Sequence, residues 1–407
     1  MGRDFDVIIV GARCGGAPIA TLLARKGYKV LLLDRAKFPS DIAHGHLIHK
    51  GGPRCLKAWG LLDKVLATGC PVVTEMTLDA GGVSLTGRGL LVDGVPVACG
   101  PRRSALDTAL VEAAVDAGAE LRVGFVVEEY CGDGTRISGI RGREWPGGVI
   151  SERATVTIGA DGRGSLLART VQATEYEVEP PLTCYYFSYW SGVAGESLEI
   201  YERANRAIFA FPTNDGLFAI FITWPIGEYR EVRSSLQAQF LRALDLAPGL
   251  AERVRGGRRV ERFYGAANLP NFLRKPYGPG WALVGDAGCH KDPYLALGIC
   301  DAFRDVDLLA ESLDLGLSGK APLVTAMAEY ERRRNEATMA DYKRNIAKAK
   351  FQPAPLDELF VALLGNQEAT DLFFKASEGM VSRETFFNQE NLRQIMNSKS
   401  ATVADAR

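Results

Sequence analysis

The chain has no long run of apolar residues. A membrane-spanning helix needs roughly 18 or more of them in succession, and the apolar stretches here are much shorter. The sequence leads straight into a predicted strand, without the basic start and apolar core of a secretory signal. We therefore expect a cytoplasmic protein with no membrane span.

The chain also has no surplus of charge of either sign. It contains 48 Lys and Arg residues against 49 Asp and Glu residues, so nucleic acid is not expected as a partner. Its eight cysteines are scattered without a CxxC pair, which favours reduced thiols over a disulfide framework. With 47% hydrophobic residues, a chain of 407 residues can bury a large core and is expected to form two intertwined domains.

Histidine is scarce, which weakens the case for a metal centre. Three of the four histidines, His44, His46 and His49, lie in one connector, yet no fourth ligand follows at a recognisable spacing. No metal site is predicted. We instead predict that His46 is a catalytic pocket residue, which hydrogen-bonds the substrate or accepts a proton from it.

Glycine is plentiful, with 44 residues, and the first glycine-rich turn is the most informative feature of the chain. Residues 6–10 predict a buried strand, residues 17–26 a helix and residues 28–33 a second buried strand. A dinucleotide pyrophosphate would lie at the start of that helix, after the turn at Gly11. Asp34 follows the second strand, where it could accept hydrogen bonds from ribose hydroxyls.

One position departs from the usual G-x-G-x-x-G fingerprint. Arg13 stands where the second glycine belongs, and that glycine normally lets the pyrophosphate approach the backbone. Three interpretations stay open. The Arg13 guanidinium pairs with a phosphate, or it points into solvent, or the turn binds no nucleotide at all.

Two later stretches indicate which dinucleotide is bound. Residues 159–162 read Gly-Ala-Asp-Gly, and residues 285–287 read Gly-Asp-Ala, followed by Pro293 and Gly298. In this order and at these separations, the three stretches resemble the para-hydroxybenzoate hydroxylase-like flavoproteins. That superfamily also contains flavin-dependent halogenases and geranylgeranyl reductases. The resemblance covers roughly residues 4–345.

The resemblance implies FAD as the cofactor. The Asp286 carboxylate would bind the ribityl chain, Arg103 would contact the cofactor, and the segment from Pro293 into the next helix would lie along the flavin ring. A helix N-terminus near Gly298 would stabilise negative charge on the reduced ring. The full set of predicted cofactor-binding residues is Gly11, Ala12, Arg13, Gly15, Gly16, Asp34, Arg35, Arg103, Val127, Asp161, Gly285, Asp286, Pro293, Gly298 and Ile299.

Two nearby residues leave questions about the flavin ring. Lys291 either steadies an anionic reduced flavin or is a solvated surface lysine. Cys300 stands where an asparagine is common in the family, so its contacts with the ring are open.

The expected fold class is α/β, with a Rossmann-like FAD-binding domain interleaved with a substrate domain built on a mixed or antiparallel sheet. Residues 1–75, 101–172 and 276–345 are assigned to the FAD-binding domain, and residues 76–100 and 173–275 to the substrate domain. Residues 346–407 are predicted to form a helical extension with a disordered tail. A helix is expected around residues 53–66 and another at 104–117, with period-two strands at 184–190 and 217–224.

The hydroxylases of this superfamily reduce their flavin with NAD(P)H and form a flavin C4a-hydroperoxide with dioxygen, which oxygenates an aromatic substrate. The resemblance therefore implies a monooxygenase that hydroxylates a small aromatic or polycyclic metabolite. Aromatic residues on the candidate strands would line the substrate pocket, and the alternative is that they pack the core. They are Tyr185, Phe187, Phe209, Phe211 and Phe221.

Other functions stay open within and outside this fold. A halogenase would show a W-x-W-x-I-P segment and a reactive lysine, and residues 221–226 lack that spacing. A geranylgeranyl reductase-like enzyme is a second alternative, although its usual Y-x-W-x-F-P-K signature is not evident. A flavin-binding protein without turnover is the third. The sequence is compatible with a homodimer and with a partner reductase.

Overall fold

The computed structural model describes residues 4–40, 44–144, 147–352 and 358–404. The strands, in chain order, are β1 (Asp4–Val10), β2 (Val30–Asp34), β3 (Val72–Val73), β4 (Met76–Asp79), β5 (Ser84–Gly87), β6 (Leu91–Val92), β7 (Val95–Pro96), β8 (Ala98–Cys99), β9 (Glu120–Val123), β10 (Phe125–Gly132), β11 (Ile137–Glu144), β12 (Val149–Gly159), β13 (Glu175–Glu179), β14 (Thr183–Ser191), β15 (Leu198–Arg203), β16 (Arg206–Thr213), β17 (Leu217–Pro225), β18 (Arg258–Arg259), β19 (Tyr264–Ala266), β20 (Asn271–Arg274), β21 (Tyr277–Gly278), β22 (Trp281–Leu283) and β23 (Cys289–His290).

The helices are α1 (Gly16–Arg25), α2 (Gly52–Ala58), α3 (Leu62–Leu66), α4 (Arg103–Asp116), α5 (Leu166–Thr170), α6 (Tyr229–Ser234), α7 (Leu236–Leu244), α8 (Pro248–Gly256), α9 (Gly298–Leu317), α10 (Leu323–Ala349), α11 (Glu358–Leu363), α12 (Gln367–Ser377) and α13 (Gln389–Ala404).

The first large sheet has parallel central strands, and the three glycine-containing motifs follow these strands. Its strands run in the order β10-β11-β12-β1-β2-β9, and β22 pairs in parallel with the end of β12. Val10 lies opposite Gly159, which lies opposite Leu283. All three motifs therefore leave the sheet at the carboxyl ends of neighbouring parallel strands, where ligands bind in open α/β sheets.

Both faces of this sheet are buried, which explains the continuous apolar runs of its central strands. Val7 and Ile9 of β1 pack into a core with α1, α4 and α9. Ile8 points to the opposite face, into a cluster with Phe125 of β10 and Leu167 of α5. The fold is of the mixed α/β class, as predicted.

The second large sheet runs in the order β18-β14-β17-β16-β15-β4-β5, with β19 beside β14. It is mixed, because β15 pairs in parallel with β4 while its other pairings are antiparallel. Strands β4 and β5 come from the segment before α4, so the chain enters this sheet twice. The predicted strands at 184–190 and 217–224 lie within β14 and β17. The domain boundaries stay a prediction.

Helices α6, α7 and α8 cover one face of the second sheet, through a core that includes Trp224, Phe240 and Leu250. The sequence analysis assigned this region to strands alone and missed these helices. Helix α7 is amphipathic, with Phe240 and Leu244 buried four residues apart. That spacing is the signal that could have revealed it.

The predicted helix at residues 53–66 is broken into α2 and α3. Gly60 has φ +69°, a left-handed conformation that ends a helix and that glycine adopts without strain. The predicted helix at 104–117 matches α4 to within one residue.

The C-terminal segment packs against the other face of the second sheet. This segment contributes Phe374 of α12, Phe386 of the connection between α12 and α13, and Ile395 of α13. These residues share one core with the buried side chains of β14 and β16. Helix α13 continues to Ala404, through part of the tail that the sequence predicted to be disordered. Residues 405–407 lie outside the described residues, as do Pro353 and Pro355.

Among the described helices, none combines the length and the apolar character that crossing a membrane requires.

Candidate functional site

Two glycines of the first turn are required by close backbone contacts. A Cβ on Gly16 would lie 1.7 Å from the Gly11 carbonyl oxygen, and a Cβ on Gly11 would lie 2.4 Å from the Ala160 oxygen. Gly11 also has φ +103°. The turn is therefore packed tightly between strand β12 and helix α1, as a turn that brings backbone amides close to a ligand must be.

The N-terminus of α1 is open to an anion. No side chain caps this helix, and its first turn contains no acidic residue. In the first turn, the Ala17 N–H donates to the Arg13 carbonyl oxygen at 2.9 Å and Pro18 has no N–H. The helix dipole still places partial positive charge at this end, which suits a pyrophosphate.

Asp34 closes the turn from the other side. Its carboxylate accepts hydrogen bonds from the N–H of Ala12 and of Ala36, both at 2.8 Å, and it is 7% exposed. The sequence predicted a bond to ribose hydroxyls instead. Two bonds leave a carboxylate with unused acceptor capacity, so the ribose role stays a prediction beside the backbone role. Arg35 follows and is exposed.

Arg13 pairs with an acid instead of extending into solvent, and its pairing with a phosphate stays a prediction. Its guanidinium lies 2.8 Å from Asp107 and donates to the Ser40 hydroxyl at 3.1 Å. Asp107 is fully buried and also accepts from Arg103 at 2.9 Å. One buried carboxylate thus holds two arginines at the mouth of the glycine turn. Burial, moderated by Arg103, raises the pKa of the neighbouring Cys14 thiol to about 12, so it stays protonated.

Asp286, unlike Asp34 and Asp161, has no hydrogen-bond partner among the described residues. It lies in a short 3₁₀ turn after β22 and is half-buried. Within the part of the chain that the structure describes, its side chain makes no hydrogen bond or ion pair. Its charge acts on Arg103 and His44. A free carboxylate at this edge fits the hydroxyls of a ribityl chain.

The structure separates Arg103 from its neighbour. Burial alone would lower the pKa of Arg103, but Cys14 and Asp107 raise it above its ordinary value. Arg102 points to the second sheet, where it pairs with Glu261 and lies 4.3 Å from the centre of the Tyr189 ring. Arg103 therefore lies beside the glycine turn, and its contact with the cofactor stays a prediction.

Asp161 and Val127 border the same edge. One Asp161 oxygen accepts from the Leu166 N–H at 2.8 Å. The other is buried without a hydrogen-bond partner among the described residues, and burial raises the pKa of this carboxyl. Val127 lies in β10 at a break in the register with β11, and it is partly buried. Their cofactor contacts stay predictions.

The loop before α9 is held by a second buried acid, Asp292. Its carboxylate accepts from the Thr183 hydroxyl at 2.8 Å and from the Tyr294 N–H at 3.1 Å. Pro293 begins a 3₁₀ turn, and Gly298 follows that turn; both residues are at least partly exposed. Helix α9 begins at Gly298, as predicted.

Lys291 is buried, so it is not a solvated surface lysine, and its role toward the flavin stays a prediction. Its ammonium group is 2.7 Å from the Asp301 carboxylate, and the residue is 8% exposed. Asp301 also pairs with Arg304 at 2.7 Å. Ile299, in the first turn of α9, is buried.

We expect Asp292 to make stability depend on pH. Burial raises its pKa from an ordinary 3.8 to about 6, although Thr183 and Tyr294 favour the ionised form. Because the folded pKa is higher than the unfolded one, the folded protein binds more protons in this window, and stability falls as pH rises from about 4 to 6. The loss amounts to about 3 kcal/mol.

Chemical denaturation of the wild type and of Asp292→Asn at pH 4 and pH 7 measures this effect. The variant cannot ionise, so the wild type should lose more stability than the variant between the two values. If the wild type and the variant lose the same stability between pH 4 and pH 7, Asp292 does not titrate in this range.

The predicted pocket aromatics share one face of the second sheet but divide into two groups. Phe187, Phe209 and Phe211 are buried in the core, as the packing alternative predicted. Tyr185 and Phe221 are partly exposed. Phe221 stacks on Phe187 at a centroid distance of 4.3 Å.

Tyr185 and Phe221 connect the sheet to the cofactor edge. Burial raises the pKa of the Tyr185 phenol to about 12. Smaller electrostatic effects come from Arg163, Asp286 and Arg103. A Cβ on Gly45 would lie 3.9 Å from the Phe221 ring. The connector from residue 44 therefore runs between this wall and the glycine motifs.

His46 is fully buried between aromatic rings. Its Nδ1 lies 3.0 Å from the Gly100 carbonyl oxygen, and its ring lies against Tyr189, Phe211 and Phe221. Since the carbonyl only accepts, Nδ1 carries the proton and Nε2 is left as an acceptor. Burial lowers the pKa of His46 to about 3. The ring is neutral, a poor proton acceptor, and reaches no solvent, so its catalytic role stays a prediction.

The three clustered histidines point to different partners. His44 is exposed. His49 is buried and bonds Glu378. Within the described residues, no group of three or more His, Cys, Asp or Glu side chains could hold a metal ion.

Three residues of the site were missed by the sequence analysis. Asp107 lies four residues after Arg103 on α4, and that helical spacing could have revealed it. Asp292 directly precedes Pro293, so its position was available from the motif. Glu378 is 329 residues from His49 in the chain, and no local signal links the two.

The residues at this edge fit a flavin dinucleotide. The uncapped α1 N-terminus suits the pyrophosphate, the free Asp286 carboxylate suits the ribityl chain, and the turn at Gly11 and Gly16 has room for neither Cβ. Together with the fold, they define a flavoenzyme that depends on FAD.

The chain belongs to the family described as "FAD binding domain", whose model matches residues 4–344. A digeranylgeranylglycerophospholipid reductase of Methanosarcina mazei is 25% identical over 348 residues, covering 82% of this chain and 81% of that protein. The chain has the fold of the myxobacterial chondrochloren halogenase CndH, a FAD-dependent halogenase, with a TM-score of 0.79, 21% identity and 97% coverage of both chains.

A further solved neighbour is PqsL of Pseudomonas aeruginosa, described as a probable FAD-dependent monooxygenase. Its complex with 2-aminobenzoylacetate matches with a TM-score of 0.73 and 23% identity, covering 91% of this chain and 99% of that one.

Proposed function

We propose that the protein is a monooxygenase that uses FAD, NAD(P)H and dioxygen to hydroxylate a small aromatic or polycyclic metabolite. One dioxygen atom enters the substrate, the other leaves as water, and NAD(P)H supplies the two electrons. The observation that carries the proposal is the partly exposed aromatic wall of Tyr185 and Phe221, with Tyr185 within electrostatic reach of Asp286.

Bound FAD would supply the redox chemistry. The chain would contribute binding and orientation: Asp286 and Arg103 at the cofactor, and Tyr185 and Phe221 at the substrate. The apolar core behind the wall excludes water from that side. Because its pKa is raised, the Tyr185 phenol is protonated at neutral pH and can donate a hydrogen bond.

Turnover assays distinguish this proposal from its alternatives. Purified protein with FAD is given NADH or NADPH and a panel of phenols, anilines and indoles, under isotope-labelled dioxygen. Coupled oxygen uptake with label in the product supports hydroxylation. A product that requires halide indicates a halogenase, and saturation of an isoprenoid double bond without oxygen indicates a reductase. If no substrate promotes NAD(P)H oxidation while flavin is bound, the enzyme proposal fails.

For Tyr185→Phe, we expect kcat/KM to fall about tenfold for a substrate that accepts the phenol hydrogen bond. FAD affinity should not change, because the ring remains. Tyr186→Phe is the matched control, since Tyr186 lies next in β14 and packs on the opposite face against Trp224. Equal effects of the two variants would remove Tyr185 from the substrate site.

The same assays show whether the protein uses NADH or NADPH, or needs a partner reductase. Gel filtration shows whether it forms a homodimer.

A further inference from the structure

The two ring nitrogens of His49 each face an acceptor. Nδ1 lies 2.9 Å from a carboxylate oxygen of Glu378, and Nε2 lies 3.1 Å from the carbonyl oxygen of Leu295. A carbonyl and an ionised carboxylate can only accept, so an imidazole satisfies both of them only when each of its nitrogens carries a proton. The partners of the buried His49 ring are those that suit an imidazolium ion.

Glu378 supplies the matching charge. It is 8% exposed, and it also accepts a hydrogen bond from the backbone N–H of Lys50 at 2.9 Å. Burial acts to raise its pKa, but the charge and hydrogen bond of His49 outweigh burial, and the pKa is lowered. The Lys50 N–H and the charge of Lys50 favour the ionised carboxylate independently of His49, and the pair is hydrogen-bonded on both sides, as a buried ion pair must be.

Other groups around the pair have their own partners. The Lys50 ammonium group lies 3.5 Å from Asp341, and Arg54 donates to the carbonyl oxygen of Gly379 at 2.7 Å. The Cys300 thiol donates to the His49 carbonyl oxygen at 2.9 Å. Glu378 is the acid that contacts the imidazole directly.

The carbonyl that His49 holds belongs to the loop before α9. The Leu295 N–H donates to Asn345 of α10 at 3.0 Å, and Ala296 follows with φ +53°. His49 and Asn345 thus hold the two sides of one residue, at the point where the chain turns into α9. This is the loop that the family resemblance puts along the flavin ring.

We propose that Glu378, from the C-terminal segment, is a positioning residue for the flavin. It keeps His49 charged, and the charged ring fixes the Leu295 carbonyl and with it the loop from Pro293 to Gly298. A neutral imidazole has one N–H, so it can serve Glu378 or Leu295 but not both. The proposal rests on the FAD site of the proposed function, and it makes the C-terminal helices part of that site.

The test compares the holoprotein with Glu378→Gln, which keeps the shape of the side chain and removes its charge. NMR of isotope-labelled histidine reports the protonation of His49, and the chain has only four histidines. Hydrogen exchange reports the amides of residues 295–298, and iodide quenching reports access to the flavin. In the variant we expect a neutral His49, exchange about tenfold faster in this loop and stronger quenching.

Two further variants complete the design. Glu384→Gln, an exposed acid later in the same segment, should match the wild type. Glu378→Asp restores the charge and should recover much of the wild-type exchange. Unchanged exchange in Glu378→Gln, or equal changes in Glu384→Gln, overturns the proposal. Faster exchange with unchanged quenching also overturns it, since the loop then does not position the flavin. If the chain binds no FAD, the proposed function fails, while the NMR and exchange measurements still decide whether Glu378 holds the loop through His49.

Discussion

Replacing Asp286 with alanine is expected to weaken FAD binding about 10- to 100-fold while leaving the fold intact. Hydrogen bonds to a charged group each contribute about 1.5–3 kcal/mol, and the ribityl chain offers several hydroxyls to one carboxylate. The fold should not change, because the side chain makes no hydrogen bond or ion pair with the described residues.

Equilibrium dialysis against FAD and thermal unfolding of the apoprotein measure the two effects separately. Asp286→Asn is the matched control, because it keeps the shape and loses the charge, and its affinity should fall between the other two. An alanine variant that retains FAD with wild-type affinity would exclude Asp286 from the cofactor site.

Gly16→Ala is expected to have the other large effect, on folding and FAD binding together. The new Cβ would lie 1.7 Å from the Gly11 carbonyl oxygen, which belongs to the backbone and cannot move aside cheaply. We expect the free energy of unfolding to fall by roughly 3 kcal/mol or more, at the upper end of overpacking effects. FAD retention should be lost, because the turn must open to admit the methyl group.

Gly249→Ala is a suitable control in the same assay. Gly249 lies in α8, a Cβ there meets nothing within 4 Å, and its φ is not positive. Alanine should therefore leave stability equal or slightly raise it. If Gly16→Ala unfolds at the same denaturant concentration as Gly249→Ala, the turn is looser than the structure describes.

The cofactor edge could be predicted from the sequence because its signals are local. The turn at Gly11, the acid at Asp286 and the helix that begins at Gly298 each follow from a short pattern whose backbone needs particular residues. Parallel strands then bring these patterns to one edge, since their carboxyl ends coincide. Contacts between side chains that are far apart in the chain have no such local pattern.

The side-chain partners could not be predicted, because they depend on packing between distant elements. Arg13 illustrates this limit. The sequence offered a phosphate or solvent, and the structure pairs the side chain with Asp107, 94 residues further along. His46 is similar: its position in the connector was visible, but the aromatic rings that bury it and the Gly100 carbonyl that accepts its hydrogen bond come from other segments.

The same limit, that packing between distant elements is not visible in the sequence, applies to larger parts of the structure. It applies to the helices that cover the second sheet and also to the His49–Glu378 pair. Period-two strands predicted the sheet, since alternation is written into each strand. The role of the C-terminal helices could not be predicted in this way. Their buried residues, such as Phe374, are explained only by the sheet face on which they pack.

The most direct test of the account is titration of the purified chain with FAD, followed by the visible spectrum of the protein after free flavin is removed. The account predicts that one FAD is retained per chain, with the absorption of oxidised flavin, and that NADH or NADPH bleaches it. A chain that holds no flavin, as purified or after incubation with excess FAD, would contradict the account.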